Sequence, residues 1–152
     1  MSVWFRCQEH GAAIAHAAGT GFDPIVDQVI SRVTASRNLA GGFIYTNYTK
    51  VAISMHMAGF VPGWCTAQLL AFAFDYPFNQ LKVERVFGTV PSTNHAALDQ
   101  DMRGGWKEVT RILGAVEGGD MIVLSMSRHE CKWLRLVPRY IRLKPCERGI
   151  AA

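Results

Sequence analysis

His56 is the side chain best suited to chemistry in this chain of 152 residues. An imidazole ordinarily titrates near pH ~6.5, so it can take or give a proton close to neutrality. It lies in Val51–Ala58, where Val51, Ile53, Met55 and Met57 alternate with Ala52, Ser54, His56 and Ala58. A period of two puts His56 on the small, polar face of a strand, opposite the large apolar side chains. It reads either as a general base or as a buried, hydrogen-bonded structural histidine.

Other reactive residue types do not assemble. Cys7, Cys65, Cys131 and Cys146 include no Cys-x-x-Cys pair, which argues against a zinc ribbon or a redox dithiol. Cys65 has no neighbouring His or Asp in sequence to activate it as a nucleophile. Cys7, His10 and His16 match no established ligand spacing, and His129-Glu130-Cys131 lacks a second His, so no metal is expected. Asp99 and Asp101 are two apart, point to different sides of a helix and read as solvated rather than as a carboxylate pair.

Composition describes one ordered domain. Hydrophobic residues make up 49% and charged residues 18%, the opposite of a disordered balance. The formal charge of +4 is weaker than a dedicated nucleic-acid binder usually carries. No N-terminal run has the order of a signal peptide, and a cytoplasmic protein with reduced thiols is expected. From Val51 to Phe74 no Asp, Glu, Lys or Arg occurs, a length that would span a bilayer. Gly59, Pro62 and Gly63 interrupt its middle, however. Its first half alternates and its second half has helical spacing, so strand, turn and helix fit it better than a membrane span.

The elements around His56 follow from periodicity and breakers. An opening strand is expected over Val3–Cys7 and a helix over Gln8–Ala18, ended by Gly19–Gly21. Val29–Thr34, Phe43–Thr49 and Val51–Ala58 read as an antiparallel meander, with Asn38–Gly42 as the first turn. Thr66–Phe78 reads as a helix closed by Pro77. Glu84–Pro91 is a strand. Ser92, Thr93 and Asn94 are cap residues before a helix over His95–Arg103, which Gly104 and Gly105 end. Lys107–Val116 and Met121–Arg128 flank Glu117-Gly118-Gly119-Asp120, a hairpin signal. The order β-α-β-β-β-α-β-α-β-β predicts an α+β fold whose mixed, mostly antiparallel sheet is flanked by helices. Residues 1–134 would form this single domain and residues 135–152 a basic C-terminal arm. Lys132–Arg148 holds six of the sixteen basic residues, interleaved with Trp133, Pro138 and Tyr140. Such a stretch is most often solvated, or else meets nucleic acid, an acidic partner or a dimer mate.

Strand Arg85–Val90, the helix with Asn94 and Ala97, the pair Gly105-Trp106 and the closing hairpin together resemble the end of the GNAT fold of N-acetyltransferases. Val51–Phe78 looks like that family's central strand and coenzyme-binding helix. With Met55–Gly59 and Arg128–Leu134 included, the ensemble is similar to short GNAT-like proteins encoded by bacteriophages. The resemblance covers about Val29 to Leu134. It implies acetyl-CoA as co-substrate and an amine acceptor, a host protein or a small molecule, attacked directly in a ternary complex.

The same resemblance implies roles for particular residues. Pantetheine would enter between the strands Val51–Ala58 and Glu84–Pro91, with the N–H groups of Met57 and Ala58 polarising the thioester carbonyl and His56 as base. Pro62, Gly63, Trp64, Cys65 and Thr66 would meet the pyrophosphate, since backbone N–H groups at a helix start bind phosphate. Asn94 would either contact the coenzyme or only cap its helix. Two departures stand out: the loop keeps one glycine of the family pattern and no leading Arg or Gln, and the helix has no Tyr acid, its place falling close to Asp101. Those departures leave a second reading open, a catalytically inactive GNAT-fold module that docks on a host protein or nucleic acid.

Overall fold

The structure, a computed structural model, describes residues 2–136 and the backbone of residues 144 and 145. Its strands are β1 (Ser2–Phe5), β2 (Gln28–Val33), β3 (Leu39–Thr46), β4 (Ala52–Gly59), β5 (Arg85–Pro91), β6 (Lys107–Val116), β7 (Gly119–Ser127) and β8 (Lys144–Pro145). The helices are α1 (Gln8–Ala18), α2 (Ala67–Asp75) and α3 (His95–Gly104). All eight strands form one sheet in the order β6-β7-β5-β4-β3-β2-β1-β8. Pairing is antiparallel except at β4–β5 and β1–β8. The α+β class and the element order expected from the sequence are present, with β8 added.

Both faces of the sheet are covered. On one face Phe43 and Tyr45 of β3, with Ile53 and Met55 of β4, pack against Leu69, Phe72, Phe74 and Phe78. On the other, Val29 and Ile44 pack against Ile14 and Ala15 of α1. Strand β3 sits between these two layers, which is why seven of its eight residues are buried. Alternation along β4 follows the same division: Ile53, Met55 and Met57 join the α2 layer, while Ala58 joins the α1 layer. The uncharged run from Val51 to Phe74 is therefore strand, loop and helix. No helix among the described residues is long and apolar enough to cross a membrane.

Three boundaries differ from the sequence reading. Strand β3 begins at Leu39, so Gly41 and Gly42 lie inside it rather than in a turn. Their missing side chains make room for close neighbours: a Cβ on Gly42 would stand 2.6 Å from the Ile30 carbonyl oxygen, and one on Gly41 would strike the Trp64 ring. The second helix ends at Asp75, short of the Phe78 expected, just before Pro77. Lacking an N–H it breaks the α ladder, and the chain continues as a π turn over Tyr76–Gln80 that buries Phe78. The last residues of the expected domain pack onto α3, and part of the expected arm joins the sheet. Trp133 Nε1 and Lys132 Nζ each donate to carbonyls at the end of α3, those of Gly104 and Arg103, at 2.8 Å. Lys144 and Pro145 pair with Trp4 and Phe5. The rest of the arm lies outside the described residues.

Candidate functional site

Strands β4 and β5 pair at only three positions, Ala52–Ser54 with Arg85–Phe87. Beyond them both strands continue, β4 to Gly59 along β3 and β5 to Pro91 along β7. The sheet thus splits into a wedge whose backbone edges no strand among the described residues pairs. Gly88 stands at its vertex, where a Cβ would come within 2.7 Å of the Met55 carbonyl oxygen. Any larger residue would push the strands apart where they must still touch. A cavity of about 530 Å³ occupies the wedge, bounded by β4, β5, the end of α1 and α3. A second, of about 350 Å³, adjoins it on the α2 side and shares Met57, Trp64, Gln100, Asp101 and Trp106 with it.

His56, Met57, Ala58, Trp64 and Asn94 all line the first cavity. His56 Nε2 lies 2.9 Å from Ser54 Oγ, two residues back on the same face of β4. That contact holds the ring and leaves Nδ1 as the nitrogen not engaged by Ser54. Partial burial pushes the imidazole pKa below its usual 6.5, and the carboxylate of Asp27 opposes the shift only in part. The ring is consequently neutral at neutral pH, the state a proton acceptor needs.

The loop after β4 is held from an unexpected direction. Arg32, on β2, donates through Nη1 to the carbonyls of Gly63 (2.8 Å) and Trp64 (3.0 Å). The sequence shows no Arg or Gln leading this loop, yet the fold supplies a guanidinium from a strand about thirty residues earlier. The Trp64 ring lies over Gly41 and Gly59, filling the space their side chains would take, and meets Phe43 at 5.6 Å between centroids. It thereby lines both cavities. Gly63 and Cys65 line only the second, and Pro62 and Thr66 line neither. Thr66 caps α2, its hydroxyl accepting from the Leu69 N–H at 3.2 Å. Burial pushes the Cys65 thiol up to about 11, so it is no thiolate nucleophile at neutral pH.

Helix α3 forms the opposite wall. Asn94 is its N-cap, accepting from the Ala97 N–H at 3.2 Å while also bordering the cavity. Ser92 does not cap α3; its hydroxyl accepts the Asp120 N–H at 2.9 Å and ties the hairpin to this end of the site. The largest correction concerns Asp101. Asp99 is exposed as expected, but Asp101 is only 9% exposed and lines both cavities. Burial alone pushes its carboxyl from 3.8 up to about 7. One signal for it was present: Asn94, Ala97, Leu98 and Asp101 recur at helical spacing, so Asp101 continues the face that carries Ala97 and Leu98. Among the described residues no group of three or more His, Cys, Asp or Glu side chains is placed to hold a metal ion.

No family model matches the chain, and no curated protein sequence matches it. Solved structures do. A point mutant of the spermidine N-acetyltransferase SpeG of Vibrio cholerae is similar with a TM-score of 0.60 at 18% identity, covering 74% of this chain and 70% of that one. A chimera built on the same enzyme gives 0.59 at 19% identity, over 72% of each chain. The Vibrio cholerae enzyme in complex with CoA and spermine gives 0.58 at 18% identity, over 68% of this chain and 67% of that one. Likeness at this identity speaks to architecture. The chain has the GNAT fold.

Proposed function

We propose that this chain is an acetyl-CoA-dependent N-acetyltransferase that moves the acetyl group directly to an amine bound beside it. The observation that carries the reading is the wedge between β4 and β5, an unpaired backbone cleft opening on a cavity with a neutral histidine at its wall. Similarity to an acetyltransferase structure that contains CoA supports it. In this reading the pantetheine runs along the free edge of β4, where the Met57 N–H polarises the thioester carbonyl; the alternation of the strand turns the Ala58 N–H toward β3 instead. Pyrophosphate lies toward Gly63, Trp64, Cys65 and the start of α2, where Thr66 takes one N–H and the neighbouring ones remain for the ligand. Pro62 holds the turn. Asn94 steadies the cavity end of α3. His56 accepts the proton that the attacking amine releases.

Two acceptor classes follow. One is a small polyamine of the kind bound in the neighbouring Vibrio structure. The other is an amine of a protein, host protein included, as the resemblance to phage-encoded proteins implies. Calorimetry with acetyl-CoA, paired with release of free thiol in the presence of spermidine, spermine or a mixed peptide library, separates them. Saturable binding and amine-dependent thiol release are expected. Binding without release from any acceptor would favour the docking module. No binding at millimolar coenzyme would remove the enzyme reading altogether.

A further inference from the structure

Resting on the acetyl-transfer reading, we propose that Asp101 is the acid that protonates the departing thiolate of the coenzyme. Successive residues of β4 point to opposite faces of the sheet, so His56 faces the α1 side while Met57 faces the α2 and α3 side, where Asp101 and Trp106 stand. An acyl carbon held in the wedge between these faces has a base on one side and a carboxyl on the other. Acyl transfer passes through a tetrahedral intermediate, and this arrangement lets different groups attend its entering nitrogen and its leaving sulfur.

The surroundings of Asp101 suit a proton donor. The cavity-lining side chains around it, Met57, Trp64 and Trp106, carry no charge. Cys65, from the loop before α2, is the titratable group facing it there, and burial keeps that thiol protonated. On its own helix, Gln100 shares both cavities and Arg103 borders the second. The two ion pairs among the described residues lie elsewhere, at Lys107–Glu130 and Glu108–Arg111. Among the described residues no cation is paired with the Asp101 carboxylate, so burial disfavours loss of its proton until a group of opposite need arrives.

The step balances as follows. The amine nitrogen bonds to the carbonyl carbon and the carbon–sulfur bond breaks. Sulfur leaves with the electron pair and takes the Asp101 proton, while His56 takes the proton released by nitrogen. The products are an amide and the coenzyme thiol. One proton returned from His56 to Asp101 through solvent restores the starting state.

Asp101→Asn keeps the side chain's size and removes its proton. The variant is expected to bind acetyl-CoA within about twofold of the parent by calorimetry, and to lose on the order of 10²–10³-fold in kcat. It should also lose the alkaline limb near pH 7 in the kcat profile of the parent. Asp101→Glu should recover part of the rate. An acetyl thioester of an acidic aryl thiol, whose thiolate leaves without a proton, should shrink the Asp101→Asn defect to less than about tenfold. Independently of turnover, carbon-13 NMR of the Asp101 carboxyl should titrate near pH 7. Parental turnover and pH profile in Asp101→Asn with coenzyme binding intact, or a carboxyl midpoint below pH ~5, would overturn the role and leave the acetyltransferase reading standing. Failure of the unmodified chain to bind acetyl-CoA would overturn both.

Discussion

The two walls of the wedge use one physical cause to opposite chemical effect. On the β4 wall burial lowers the pKa of His56, and on the α3 wall burial raises that of Asp101. Removing water disfavours whichever form is charged, so the base is stripped of its proton and the acid is kept with its own. A single desolvated cleft therefore holds a neutral base together with a carboxyl that keeps its proton up to about pH 7. The walls differ in support. His56 is braced by Ser54, whereas among the described residues the Asp101 side chain has no hydrogen-bond partner, and its helix packs on the core through Ala97 and Leu98. The first should be sensitive to local substitution, the second to pH.

That contrast can be broken first at the base. His56→Ala should reduce kcat by about 10²–10⁴-fold while acetyl-CoA affinity changes little, read by steady-state kinetics beside calorimetry. In the parent, activity should rise with pH through a value below 6.5 as His56 loses its proton, and the variant should lack this acid limb.

Stability tests the acid wall. The carboxyl of Asp101 has a folded pKa of about 7 against 3.8 when free, so the native state holds its proton more tightly than the unfolded chain. Its burden on stability is absent below pH ~4, grows as pH rises toward 7 and is constant above. Asp101→Asn should thus stabilise the fold at pH 8 by up to about 4 kcal/mol, with the gain disappearing at pH ~4, as thermal or urea unfolding at both pH values would show. An equal effect at both would mean that the group is not held protonated by burial.

The vertex joins the two walls. Gly88→Val should cost roughly 2–3 kcal/mol of stability, because its Cβ meets the Met55 carbonyl oxygen, and should weaken coenzyme binding with it. Parental melting and affinity would show that the strands can part there without cost. The smallest effect is expected away from both walls. Thr66→Ala removes the α2 cap and should cost about 1 kcal/mol, with kcat for bound substrates unchanged.

How much of this was legible varies with the range of the interaction. Alternation in Val51–Ala58 identified the faces of β4, and the cap Asn94 was readable because a side chain and an N–H three residues on are joined by the local chain; Thr66, read as the first residue of its helix, is its cap. Asp101 was misread because helical spacing says which residues share a face and not what that face meets. Arg32 under the Gly63–Trp64 loop, and Ser92 on the hairpin rather than on α3, link residues about thirty apart. The π turn at Tyr76–Gln80 needed the buried contact of Phe78 to draw the chain past Pro77.

The amino-acid sequence by itself determined the α+β order of elements, the buried meander and the strand that carries His56. Each of these rests on periodicity and on Gly, Pro and cap residues acting over a few positions. Tertiary structure alone decided where β4 and β5 part and that Asp101 is enclosed. It also decided that Trp64 lines the cavities by lying on Gly41 and Gly59. Those outcomes depend on which distant surfaces exclude water from one another, and desolvation is a property of the assembled neighbourhood rather than of any stretch of chain.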